Sequence, residues 1–167
     1  MVLNYLHKIG WFIGLVLLQV LILNNVHIAG CATPFLYVYL ILKFESDAPR
    51  NALMMWAFFL GLTVDIFSDT PGMNAAAAVL LAFMRPVLLR LFVPRDMVES
   101  MVPAIHTMGM SPFLKYVSAG VLIHHSMLLL MEFFSLSAWG MLVVRIFTST
   151  LLTVGCIMAM DGISRRR

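Results

Sequence analysis

The chain has 167 residues, 62% hydrophobic and only 11% charged, with a mean hydropathy of +0.96. A soluble domain of this length has no interior large enough for that much apolar surface, since globular chains are about half apolar and about a quarter charged. Repeated apolar runs of membrane-crossing length instead indicate an all-α polytopic membrane protein. In such a chain the net charge of +3 and pI near 9.1 record topology rather than nucleic-acid binding.

Six spans are expected, at about 9–29, 32–44, 52–68, 73–93, 113–134 and 138–160, forming a single transmembrane domain. The first loses its apolar character at Asn24, Asn25 and His27. Lys8, the apolar run and Ile28-Ala29-Gly30-Cys31 also resemble a lipoprotein signal. Against that, the run exceeds a signal core of about 7–15 residues, and more membrane sequence follows it.

The second span follows Pro34 and ends at Lys43. It is shorter than the roughly 20 residues that a straight crossing needs, so a broken or strongly tilted segment is expected. The stretch FESDAPRN leads to the third span, and a tight turn at Thr70-Pro71-Gly72 joins it to the fourth, which opens MNAAAA. In the connection 94–112, Met97, Val98, Met101, Val102 and Ile105 share one helical face, with Arg95, Asp96, Glu99 and Ser100 elsewhere. That pattern predicts an amphipathic helix lying on the inner surface or receiving a cytoplasmic partner. The fifth and sixth spans follow, and the chain ends GISRRR.

Lys8, Lys43, Arg50, Arg90, Arg95, Lys115, Arg165, Arg166 and Arg167 all lie at ends that alternate to one side. The opposite connections, near 24–31, 69–72 and 134–138, contain no lysine or arginine. The positive-inside rule then makes both termini cytoplasmic. Cys31 and Cys156 fall towards opposite faces, which argues against a bond between them.

Ionisable residues within the spans carry the most information, because each costs free energy unless paired or hydrated. Asp65 and Arg145 are at comparable depth, so an intramembrane ion pair acting as a structural clamp is expected. Asp69 is expected in water at a helix end. Arg85, directly before Pro86, either caps carbonyls freed by the proline or snorkels inward beside Arg90. His124 and His125 project about 100° apart on a helix, which rules out one ligand pair. One is expected to face the bundle and the other a neighbour or lipid.

Gly10 and Gly14 form a G-x-x-x-G, and Ala75 to Ala78 a small-residue face. Both suit close helix approach, within the chain or to a partner helix. The fourteen methionines are scattered and read as adaptable packing. No phosphate-binding loop, H-E-x-x-H or G-x-S-x-G occurs. Asp161-Gly162 begins like a phosphatidyl-transferase signature, but the further aspartates that chemistry needs do not follow. No catalytic residue, cofactor or metal site is expected, and a non-enzymatic role follows.

A G-x-x-x-D closing span three, a short Gly-containing loop and a small-residue helix, within six spans, resemble the rod-shape-determining membrane protein MreD family. The residues carrying the resemblance are Gly61, Asp65, Gly72, Asn74 and Ala75, while Asp69 and the Thr-Pro pair depart from the usual loop. The resemblance implies a component of the bacterial cell-wall elongation machinery in the cytoplasmic (inner) membrane. It implies MreC as partner, alongside the MreB filament, a SEDS glycan polymerase and its transpeptidase. It also implies a fold similar to the six-helix substrate-binding subunits of energy-coupling-factor transporters. On that basis the Gly10, Gly14, Ala75 and Ala78 faces are candidates for MreC packing. Arg95, Met97, Met101, Ile105 and Arg165 to Arg167 would face the filament or anionic lipid. The alternative is a solute-binding transport subunit, whose outward polar pocket would be built from Asn24, Asn25, His27, Asp65, Asn74 and Arg145.

Overall fold

Proline and glycine punctuate the apolar runs, and the computed structural model, which describes residues 2–23, 33–93, 101–132 and 139–164, places helices between them. In chain order these are α1 (Val2–Leu21), α2 (Val38–Leu42), α3 (Arg50–Ser68), α4 (Met73–Phe92), α5 (Ile105–Met108), α6 (Met110–Glu132) and α7 (Trp139–Ser164). The described residues contain no strand. Four helices are long and apolar enough to cross a membrane: α3, α4, α6 and the Gly140–Ile163 part of α7. A shorter apolar stretch, Ile9–Leu21, lies in α1. Large apolar side chains point outward along these helices, as at Ile66, Leu91 and Leu151. That distribution suits helices surrounded by lipid and makes the protein an all-α, multi-pass membrane protein.

The second span is broken, as its shortness predicts, and is not one continuous helix. Residues 33–35 are non-helical, 36 and 37 form a turn, and only the five residues of α2 are helical. Pro34 biases Thr33 away from helical geometry and itself has no N–H to donate. The segment is nevertheless the most enclosed part of the molecule, with Tyr37 and Val38 fully buried and Ile41 and Leu42 nearly so. The Thr33 and Phe35 amides bond to Ser149 and Thr153 on α7, while the Tyr39 hydroxyl bonds to Asp161. Residues 33–39 thus run beside α7 between positions 149 and 161, about 18 Å of helix at 1.5 Å per residue.

Around this central segment, α3 packs on α4, α4 on α6 and α6 on α7, while α1 rests against α3. Pro86 lies inside α4 without ending it. The α3–α4 crossing is unusually close. A β-carbon on Gly61 would lie 2.5 Å from Ala75 Cα and 2.6 Å from both Ala75 N and Asn74 O. These are backbone atoms with no rotamer to change, so the approach requires glycine. At Gly120 the nearest atoms to such a carbon belong instead to the Leu42 and Leu81 side chains.

The connection before α6 also differs from expectation. Residues 94–100 lie outside the described residues, but 101–104 are non-helical and α5 is a single turn ended by Gly109 at φ +84°. No continuous amphipathic surface helix forms across the described part. Pro103 precludes one there, and the backbone is tied into the bundle. Met101 and Ser46 exchange hydrogen bonds (Ser46 N to Met101 O, 2.9 Å; Met101 N to Ser46 Oγ, 3.0 Å), and Ala104 is fully buried.

Gly61→Ala is expected to destabilise the protein by about 1–3 kcal/mol, the range for overpacking, and Gly120→Ala by less. The check is the fraction of each variant that remains monodisperse in detergent on a heating series.

Candidate functional site

The α3–α4 turn is built on one carboxylate. Helix α3 ends at Asp69, which adopts φ +53°, and Gly72 follows at φ +77°, so the chain reverses within four residues. Helix α4 then starts with amides needing acceptors and with neither an acidic residue in its first turn nor a side-chain cap at Gly72. Asp65, a turn back on α3 and 3% exposed, supplies what is missing. Its Oδ1 accepts from the Asn74 amide (2.9 Å), Asn74 Nδ2 (3.0 Å) and the Thr70 hydroxyl (2.6 Å), and its Oδ2 accepts from the Ala75 amide (2.9 Å). The carboxylate therefore caps the following helix from the preceding one, where its charge also meets the positive end of the α4 dipole.

The expected Asp65–Arg145 ion pair is absent. Among the described residues the four donors above are all of the Asp65 carboxylate's partners, and they come from the turn and α4. Arg145 is half-buried on α7, which packs chiefly on α6, and it engages other groups. Equal depth along the chain did not mean adjacency around the bundle. Gly61, Asp65, Gly72, Asn74 and Ala75 are brought together at this joint. Ala78 is buried inside the bundle, so it offers no free face. Gly10 and Gly14 lie exposed on α1 with no described residue within 4 Å of where a side chain would begin.

Behind the joint runs a hydrogen-bond chain whose direction Asp65 sets. Asn74 Nδ2 donates to Asp65 and to Thr70 Oγ1 (3.2 Å), leaving its Oδ1 to accept from the Tyr37 hydroxyl at 2.9 Å. Tyr37 has only one proton, so at its 2.7 Å contact with His124 Nε2 it must accept. His124 therefore carries its proton on Nε2. Its Nδ1 is a buried lone pair with no partner among the described residues. His125 is the opposite tautomer: Nδ1 donates to the Val121 carbonyl (2.9 Å), and Nε2 accepts from Thr153 Oγ1 (3.2 Å). Both rings are fully buried, so neither faces lipid. Each meets a neighbouring element, His124 the central segment at Tyr37 and His125 helix α7 at Thr153, which is the neighbour alternative of the expectation.

At the other end, Arg85 is 1% exposed and neither snorkels nor serves the carbonyls of its own helix. Nε bonds to the Leu42 carbonyl (3.4 Å) and the Tyr116 hydroxyl (3.1 Å), Nη1 to the Glu45 carbonyl (3.3 Å) and Nη2 to the Phe44 carbonyl. It caps the end of α2. Nearby, Asp161 Oδ1 pairs with Lys43 Nζ and accepts from Tyr39 (3.0 Å), while Oδ2 accepts the Ile105 amide (2.8 Å). Tyr37, Tyr39, Lys43, Thr153 and Asp161 were not foreseen as a connected set. The available signal was two tyrosines and a lysine crowded into a span too short to cross.

A cavity of about 340 Å³ opens at the α3–α4 turn, lined in part by Thr70 and Asn74. Of the pocket expected for a solute carrier, Asn74 lines it, Asp65 lies behind Thr70 and Asn74, and Arg145 does not line it. Asn24, Asn25 and His27 lie outside the described residues, as do Arg95, Met97 and Arg165 to Arg167. Met101 and Ile105 are held by Ser46 and Asp161. Cys156 is a free thiol, and Cys31 is outside the described residues. The described residues contain no group of three or more His, Cys, Asp or Glu able to hold a metal. The chain matches no family model, no characterised protein and no solved structure.

Asp65→Ala is expected to cost at least ~2 kcal/mol, because it removes a helix cap and strands donors held by a charged acceptor. Combined with Arg145→Ala, the effects should add within about 0.5 kcal/mol. A measured coupling well above that in a double-mutant cycle would restore the ion pair. Arg85→Met should likewise cost at least ~2 kcal/mol, since it leaves buried carbonyls without a donor, whereas Arg90→Met, at an exposed site, should be near neutral. Faster hydrogen exchange at 38–45 in the Arg85 variant is the local readout.

Proposed function

We propose that the chain is a non-enzymatic component of the bacterial cell-wall elongation machinery, similar to MreD, which binds MreC in the cytoplasmic membrane and helps maintain rod shape. The observation that supports this best is the α3–α4 joint. Gly61, Asp65, Gly72, Asn74 and Ala75, the residues that carry the resemblance, form one structural unit in which each has a stated physical task. Buried Gln19, Arg85, Ser149, Thr153 and Asp161 are engaged in holding segment 33–44, which suits a scaffold more than a catalyst. A six-crossing topology with both termini cytoplasmic, and contacts with the MreB filament, the SEDS polymerase and its transpeptidase, belong to the same proposal.

On this assignment the MreC transmembrane helix packs against the outward face of α1. Gly10 and Gly14 are exposed there, flanked by exposed Ile13 and Leu17. Small residues let another backbone approach closely in lipid, where dispersion contacts rather than hydrophobic exclusion drive association. A second reading, a solute-binding membrane subunit, is favoured by the cavity beside Thr70 and Asn74.

No described residue lies within 4 Å of a β-carbon added at Gly10 or Gly14, so Gly14→Leu should leave the isolated protein as stable as the parent. Co-purification with MreC should fall by about tenfold or more, the effect of roughly 1.4 kcal/mol. Unchanged MreC recovery and unchanged cell shape would refute the α1 docking face. Failure of the parent chain itself to recover MreC would refute the scaffold assignment.

A further inference from the structure

The cavity at the α3–α4 turn has a definite chemical character. Its volume of about 340 Å³ lies within the roughly 300–1,000 Å³ usual for small-molecule sites. Val20, Phe35, Val64, Phe67 and Leu128 supply apolar wall, and Thr33, Ser68, Thr70, Asn74 and Glu132 supply polar groups. No lysine, arginine or histidine is among the described residues that line it.

The polar wall is also biased in hydrogen-bond sense. Both Nδ2 hydrogens of Asn74 are committed, one to Asp65 and one to Thr70, and the single hydroxyl proton of Thr70 goes to Asp65. What these two side chains have left to offer is lone pairs. Glu132 adds a carboxylate that makes no hydrogen bond or ion pair among the described residues, and its side chain is exposed. Asp65 stands directly behind Thr70 and Asn74 as a second acidic group. A carboxylate or phosphate meeting Thr70, Asn74 and Glu132 would face acceptors and like charge; an N–H-bearing cation would find complementary groups at all three.

We infer that this cavity binds a small organic cation: an ammonium-type head that donates to Glu132, Thr70 and Asn74, on an apolar body seated against Phe35, Val64 and Leu128. The inference rests on the solute-binding reading and names its ligand class. Because the head would sit on the residues that anchor Asp65, binding also stabilises the α3–α4 joint.

The test uses the purified full chain in lipid nanodiscs and three probes of similar skeleton: 2-phenylethylammonium, 2-phenylethanol and 3-phenylpropionate. Ligand-observed NMR should give saturable binding that is tightest for the ammonium, weaker for the alcohol and absent for the carboxylate. Glu132→Gln should weaken the ammonium about fivefold, the upper range for an exposed ion pair, and leave the alcohol unchanged. Thr33→Phe, which fills the cavity, should abolish saturable binding of both. Equal binding of ammonium and carboxylate, or indifference of the ammonium to Glu132→Gln, overturns the cation class and leaves a solute site standing. No saturable binding of any probe, with no small molecule carried by the native preparation, overturns the solute-binding reading as well.

Discussion

The structure depends on a carboxylate placed against the start of a helix that belongs to the next segment of chain. Asp65 reaches the amides of Asn74 and Ala75 only because α3 and α4 nearly touch. They nearly touch only because residue 61 has no side chain. Charge, helix dipole and close packing are thus one constraint. Desolvating a carboxylate is costly in isolation, and here four donors replace the lost water. The same contacts orient the Asn74 amide, which fixes the proton of Tyr37, which in turn fixes the tautomer of His124. A local cap therefore propagates order to the middle of the bundle.

The other buried polar groups have a common cause. Segment 33–44 carries non-helical backbone through the interior, and such backbone is tolerated at membrane depth only when protein satisfies its polar groups. Gln19 accepts from the Leu36 amide and donates to the Pro34 carbonyl; Ser149 and Thr153 accept from the Thr33 and Phe35 amides. At the far end Tyr116 joins Arg85 on the Leu42 carbonyl. Fully buried arginine, histidine and glutamine, which in a soluble protein would invite a catalytic interpretation, are here consumed in holding one broken strand of chain. Lys43 and Asp161 then close the segment against the end of α7.

This division of labour separates the fixed from the available surfaces. Among the described residues most interior polar groups are engaged with one another, His124 Nδ1 and Thr150 Oγ1 being exceptions. The available features lie elsewhere: the α1 face with its two exposed glycines, and the cavity at the turn with its uncommitted Glu132. One offers shape to another helix and the other offers negative charge and acceptors to a small molecule. They are physically independent, so a scaffold role and ligand binding do not compete for the same residues.

Composition and the length of the unbroken apolar runs determined that the chain is helical and membrane-embedded, because barrel strands alternate in polarity whereas such runs satisfy their backbone in lipid as helices. The Pro-Gly turn, the close of α3 near Asp69 and the weakness of the second span were equally readable, since each follows from local backbone chemistry. So was the grouping of Gly61, Asp65, Gly72, Asn74 and Ala75, all within fifteen residues of one turn. The partners of the buried charges were decided only by tertiary structure. Depth can be counted along a span, but position around the bundle cannot, and so Asp65 was matched with a distant arginine rather than with the helix beginning beside it. Arg85, Tyr37 and Asp161 were opaque for the same reason: Arg85 and Asp161 bind the broken span from 40 to 122 residues away, and Tyr37, on that span, meets Asn74 37 residues on, all brought near only when the span is enclosed.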